Sequence, residues 1–121
     1  MIKTKILLTV ALLSSSLYAQ SAETLIDQNG CLGCHAIASK KAAPAFAGIG
    51  KRNKRFEGSN AKATIMSSIK NGSQGKYPRF SDTAMPAFSN LSDDELSTIA
   101  NYILAQSSKA KGHGGSCKGM K

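Results

Sequence analysis

The chain has no tryptophan, only three cysteines and three prolines, and 7 acidic side chains against 16 basic ones. Each shortage closes a route. Four Phe and three Tyr are the only aromatics, so a domain of this length builds a modest core and folds alone only marginally. A large apolar cofactor would help it. Three cysteines cannot all pair with one another, which argues against a pure disulfide scaffold. No apolar run approaches the ~18–20 residues of a membrane span. No internal repeat and no alternating strand pattern is visible.

The longest apolar run, ILLTVALL at residues 6–13, has another meaning. Lys3 and Lys5 precede it, and a short polar stretch ending in Ala19 follows. This is the pattern of a secretory signal peptide, with cleavage expected after Ala19 despite the bulk of Leu17. The first cysteine is Cys31, too late to carry a lipid anchor. The expected layout is a signal peptide over residues 1–19, a folded domain over 20–106 and a flexible basic Gly/Lys-rich tail over 107–121. The exported chain, expected in the periplasm, keeps 14 basic and 7 acidic side chains, a formal +7. Nucleic acid is a poor partner for such a chain. An acidic protein surface or an anionic membrane face suits it better.

Helix signals are few. Residues 21–30 read as a short helix capped by Ser21, with Leu25 and Ile26 as its apolar side and Gly30 as its stop. Residues 60–72 carry Ile65, Met66 and Ile69 at helical spacing and close on Asn71-Gly72. The clearest helix begins at Ser92, which forms a capping box with Glu95, while Leu91 and Leu96 are placed as a staple. Leu96, Ile99, Ala100, Ile103 and Leu104 then give one apolar stripe. Residues 39–60, rich in Gly, Ala, Lys and Arg, read as loop with at most one helical turn near residues 50–55. Residues 73–90 read as loop too. From Ser107 onward no apolar periodicity remains, and the tail is expected to be mobile. The class is therefore all-α, three or four helices with long loops, and stripes too narrow to close a core by themselves.

Cys31-Leu32-Gly33-Cys34-His35 should supply what fills the middle. A zinc site normally needs four protein ligands, and no second cysteine pair exists; Cys117 and His113 in the tail are weak completions. A redox dithiol should sit beside a βαβ pattern, which is absent. Haem attachment fits every residue. Cysteines three apart lie on one face of a helical turn, each thiol can add across one vinyl group of the porphyrin, and the next histidine reaches the iron. For a second axial ligand the candidates are Met66, Met85, Met120 and His113. Met66 lies in a helix stripe, while Met120 and His113 lie in the tail. Met85 sits in a loop stiffened by Pro86, as a weak thioether ligand needs.

With CLGCH after a short helix, APAF about ten residues on, MPAF as a methionine loop and a capped last helix, residues 22–106 resemble class I cytochrome c of the small bacterial periplasmic monohaem type. The resemblance implies an all-α fold wrapped around one covalently bound haem c and its iron. It implies that the Pro44 carbonyl accepts from His35, fixing the tautomer as outer partners of ligands do. It implies that the first and last helices cross through Leu25, Ile26, Ile99 and Ile103. Family members often place a tryptophan near a haem propionate; here Tyr77, Arg79 and Arg52 are the candidates.

Iron ligation by His35 and Met85 leaves no position for a substrate, so the expected role is one-electron transfer and not catalysis. Lys40, Lys41, Lys51, Arg52, Lys54, Arg55, Lys76 and Arg79 would steer encounter with acidic redox proteins such as an oxidase, peroxidase, reductase or dehydrogenase. Two alternatives stay open: the haem subunit of a larger oxidoreductase, for instance in sulfur-compound or sulfite oxidation, and a ligand sensor in which Met85 leaves the iron. Cys117 has no partner within the chain once Cys31 and Cys34 hold haem. It is a free thiol, a tether, or half of an intermolecular disulfide.

Overall fold

In the computed structural model residues 19–111 are described, and four α-helices carry the architecture: α1 (Ala22–Gln28), α2 (Phe46–Glu57), α3 (Ala61–Asn71) and α4 (Asp93–Ala105). The local signals act as their chemistry requires. Ser21 Oγ accepts from the Thr24 N–H at the start of α1, satisfying a donor that a helix start otherwise leaves without a partner. After Asn29, Gly30 turns the chain out at φ +67°, a conformation that a residue without Cβ adopts at little cost. The capping box of α4 is complete: the Glu95 N–H donates to Ser92 Oγ at 3.2 Å, and the Ser92 N–H to Glu95 Oε1 at 3.4 Å. Leu91 and Leu96 are both buried beside it.

α2 corrects the expectation of loop over residues 39–60. No side chain caps it, with Ala45 at the cap position. The Phe46 and Ala47 N–H groups instead donate to the Ala36 and Ile37 carbonyls, each at 2.9 Å, so the helix start is satisfied by backbone from the preceding loop. Its inward side is Phe46, Ala47, Gly50 and Asn53. Gly50 brings two backbones together: a Cβ there would stand 2.5 Å from the Ile103 carbonyl oxygen of α4.

Two smaller corrections follow. Residues 73–90 are loop except for a 3-10 turn at Pro78–Phe80 and a minimal antiparallel pair, β1 (Ser73–Gln74) and β2 (Ala84–Met85), with Ser73 opposite Met85. The tail does not begin at Ser107 as free chain. Gln106–Lys109 forms a 3-10 turn against α2, with Gln106 buried and Lys54 Nζ donating to Ser107 Oγ at 2.7 Å. The expected signal peptide over residues 1–19, apart from Ala19, lies outside the described residues, as do His113, Cys117 and Met120.

α4 is the central element and packs against α1, α2 and α3. Leu25 and Ile26 of α1 share one buried cluster with Ile99 and Ile103 of α4, joined by Phe46, Ile65 and Leu96. Burying each such side chain stabilises by ~1.5–3 kcal/mol. Among the described residues no helix is long and apolar enough to cross a membrane. The helices do not meet everywhere, and a cavity of about 250 Å³ opens between α2, α3, α4 and the two long loops.

Candidate cofactor site

The CLGCH segment folds as a 3-10 turn at Cys31–Gly33, entered through the left-handed Gly30. The His35 N–H donates to the Cys31 carbonyl at 2.9 Å, and this turn sets both cysteines and the histidine on the cavity wall. No disulfide joins the two cysteines; Cys31 is half-buried and Cys34 exposed. Burial pushes the Cys31 thiol above its ordinary pKa, against a smaller lowering by a backbone hydrogen bond.

His35 is buried and fixed from two directions. Its Nδ1 lies 2.6 Å from the Pro44 carbonyl oxygen. A carbonyl only accepts, so Nδ1 carries the proton, and in the neutral ring Nε2 keeps its lone pair. The Phe46 ring stacks on the imidazole, with centroids 5.3 Å apart and planes inclined by 26°. The loop between them is held to the turn by the Ala43 N–H on the Cys34 carbonyl, 3.0 Å, and by Lys41 Nζ on the Leu32 carbonyl, 2.9 Å.

Met85 lines the same cavity from another segment, half-buried in β2. Its position depends on Gly72, which follows α3 at φ +76°; a Cβ there would come within 2.6 Å of the Met85 carbonyl oxygen. Beyond Pro86, the Phe88 N–H donates to the Ile69 carbonyl at 2.9 Å and ties the loop to α3. Met66 packs against the core but is not on the cavity wall. Of the two candidates among the described residues, Met66 and Met85, the structure brings Met85 to the cavity. Cys31, Cys34, His35, Pro44 and Met85 all share that wall.

One end of the cavity is polar. Asn53, 2% exposed, donates from Nδ2 to the Ile49 carbonyl at 2.9 Å and to the Tyr77 hydroxyl at 3.4 Å. Burial raises the Tyr77 pKa, and Asn53 and the Arg52 charge oppose it more weakly. Lys76 Nζ donates to Ser68 Oγ at 3.2 Å on the same rim. Tyr77 thus reaches the cavity as expected; Arg52 reaches it only through the Tyr77 ring, and Arg79 is exposed and off the wall. The sequence reading missed Asn53 and Ser68. The signal for Asn53 was a polar side chain three residues after Gly50, on the inward face of a helix that was not recognised.

The donor set fits a flat apolar macrocycle better than a bare ion. Two thiols stand beside an imidazole with a free nitrogen, a thioether lies on another segment, and the walls between are mostly apolar. Among the described residues no three His, Cys, Asp or Glu side chains gather as a protein-only metal site requires.

A family model described as cytochrome c matches residues 19–107. Cytochrome c-551 of Pseudomonas aeruginosa is 36% identical over 102 residues, spanning 84% of this chain and 91% of that protein. Cytochrome c-552 of Hydrogenobacter thermophilus is 32% identical over 84 residues, 69% of this chain and 79% of that protein. The crystal structure of wild-type Nitrosomonas europaea cytochrome c552 matches with a TM-score of 0.60 at 27% identity, covering 69% of this chain and 98% of the other.

Proposed function

The chain belongs to the cytochrome c family and carries one covalently attached haem c with its iron, and on that premise we propose that it is a periplasmic one-electron carrier between redox proteins. In this reading residues 1–19 are the export signal, the working domain runs from Gln20 through the turn at Gln106–Lys109, and the residues after it are a tail. Cys31 and Cys34 would hold the haem as thioethers, and His35 and Met85 would bind its iron. The observation that supports it most is that His35, with Nε2 left free by the Pro44 contact, and Met85 wall one cavity from two separate segments.

The chemistry supplied by the bound haem is reversible exchange of one electron between Fe(II) and Fe(III). The residues do the rest. Pro44 and Phe46 hold the imidazole plane, so little reorganisation accompanies a change of charge. The Met85 thioether favours the ferrous state and raises the potential. With His35 and Met85 both binding the iron, no position would be open to a substrate, which is why transfer is proposed and not turnover. Acidic redox proteins are the partner class that the basic surface suits.

Intact mass under denaturing conditions should equal the chain from Gln20 plus one haem. Met85→Ala should remove the methionine-to-ferric-iron band in the red and lower the midpoint potential, while Met66→Ala leaves both in place. The reverse pattern would refute the ligand assignment.

A further inference from the structure

Phe56 and Leu32 are the exposed large hydrophobic side chains among the described residues, 64% and 43% exposed. Leu32 belongs to the CLGCH turn. Phe56 has no such reason to be where it is. It lies near the end of α2, in a stretch where Lys51, Arg52, Lys54 and Arg55 stand against a single carboxylate, Glu57. Positions three and four apart on a helix are neighbours, so Arg52 and Phe56 share a face, with Arg55 beside them. The inward side is Phe46, Ala47, Gly50 and Asn53, and Lys54 is turned to Ser107.

The two guanidinium carbons each lie 5.3 Å from the Phe56 ring centroid, within cation–π range. Arg52 also lies 5.1 Å from the Tyr77 ring centroid, and Tyr77 walls the haem cavity. A guanidinium stacked on a ring has already given up much of its rotamer freedom. Arg52 and Arg55 are both exposed, and an exposed guanidinium can take a carboxylate through two parallel hydrogen bonds. Binding there orders little that is not ordered already.

We propose that the Arg52–Arg55–Phe56 face of α2 is a docking site for the carboxylate-bearing surface of a redox partner protein. The partner class rests on the electron-carrier reading; the new content is the place and the grip. Contact is made on α2, above the Tyr77 wall, and not on the CLGCH turn. Recognition is bidentate, and goes beyond attraction between net charges. A lipid surface fits this face less well. A helix that lies on a membrane presents a broad apolar side, whereas α2 buries its apolar side and offers one ring.

The test is a titration of the 15N-labelled holoprotein with a hexaglutamate peptide at low ionic strength, read from backbone amides and arginine Nε–H signals. Vesicles of anionic phosphatidylglycerol serve as a second probe. Shifts should gather at residues 51–57 and at Tyr77. Arg52→Lys with Arg55→Lys keeps the charge and loses the planar forks; it should weaken peptide binding by about five- to tenfold, with the haem still covalently bound. Phe56→Ala should act in the same direction. Equal affinity in the charge-conserving variant, or shifts spread over all the lysines, would overturn the site. So would vesicle binding that depends on Arg52 and Arg55 while the peptide leaves them unmoved. A redox titration of the same samples separates the two readings. A reversible one-electron couple without a peptide site refutes the docking and leaves the carrier. A peptide site without a reversible couple refutes the carrier.

Discussion

The two walls of the cavity are held by different means. The wall of Cys31, Cys34 and His35 closes on its own stretch of chain: Ala43 bonds to Cys34, Phe46 to Ala36, Ala47 to Ile37, and the Pro44 carbonyl meets a histidine nine residues earlier. The wall of Met85 depends on remote partners. Ser73 pairs with Met85, Phe88 bonds to Ile69, and the Met85 carbonyl passes over Gly72 where no Cβ fits. Loop closure costs more entropy as the loop grows, though slowly. The difference therefore lies less in closure than in where the support comes from: one wall is tied within its own stretch of chain, and the other to Ser73, Gly72 and Ile69 at and after the end of α3.

Phe46→Ala attacks the first wall and should have the largest effect. It removes the ring stacked on His35 and the edge contact to Tyr102 at 6.4 Å, a loss of ~3–5 kcal/mol for a buried aromatic. Denaturant unfolding of the holoprotein measures it; a loss below ~1 kcal/mol, small for a core truncation, would mean that the local hydrogen bonds hold the wall unaided.

Gly72→Ala attacks the second wall. The new Cβ meets the Met85 carbonyl while the backbone is held at positive φ, which should cost ~1–3 kcal/mol. The red absorption band expected from the proposed Met85 ligation should weaken, while the haem stays covalently bound. Unchanged stability and an unchanged band would remove the contrast between the walls.

Tyr77→Phe sharpens the comparison at the polar rim, with an effect under ~1 kcal/mol at neutral pH, the scale of one hydrogen bond. Burial raises the Tyr77 pKa above its ordinary 10.0. The stability linked to the neutral phenol is then fully present below about pH 10 and falls as pH rises through the folded-state value. Melting temperatures should decline less steeply above pH 10 in the phenylalanine variant. Parallel slopes would show that Tyr77 does not govern the alkaline limit.

The contrast between the walls also explains what the sequence discloses. The cysteines, His35 and Pro44 lie in one short stretch, so their juxtaposition is legible as a motif. Met85 is legible because Pro86 marks its loop, but nothing nearby in sequence points to Gly72 as its support. α1 and α4 are legible because Ser21 and Ser92 cap them with side chains. α2 is not, because its first donors are satisfied by the backbone of Ala36 and Ile37, leaving no capping residue to see. Gly50 reads as a helix breaker, yet it is what lets α2 touch the Ile103 backbone. Ser107 reads as the start of free chain because its docking on Lys54 leaves no periodic trace.

The acceptor that orients His35 belongs to the main chain. Every amino acid has a carbonyl, so no single codon change at position 44 deletes it. Substitutions can shift the acceptor, by freeing the φ that proline fixes, but they cannot abolish it. The tautomer of the imidazole is thus insulated from point mutation in a way that the neighbouring side chains are not.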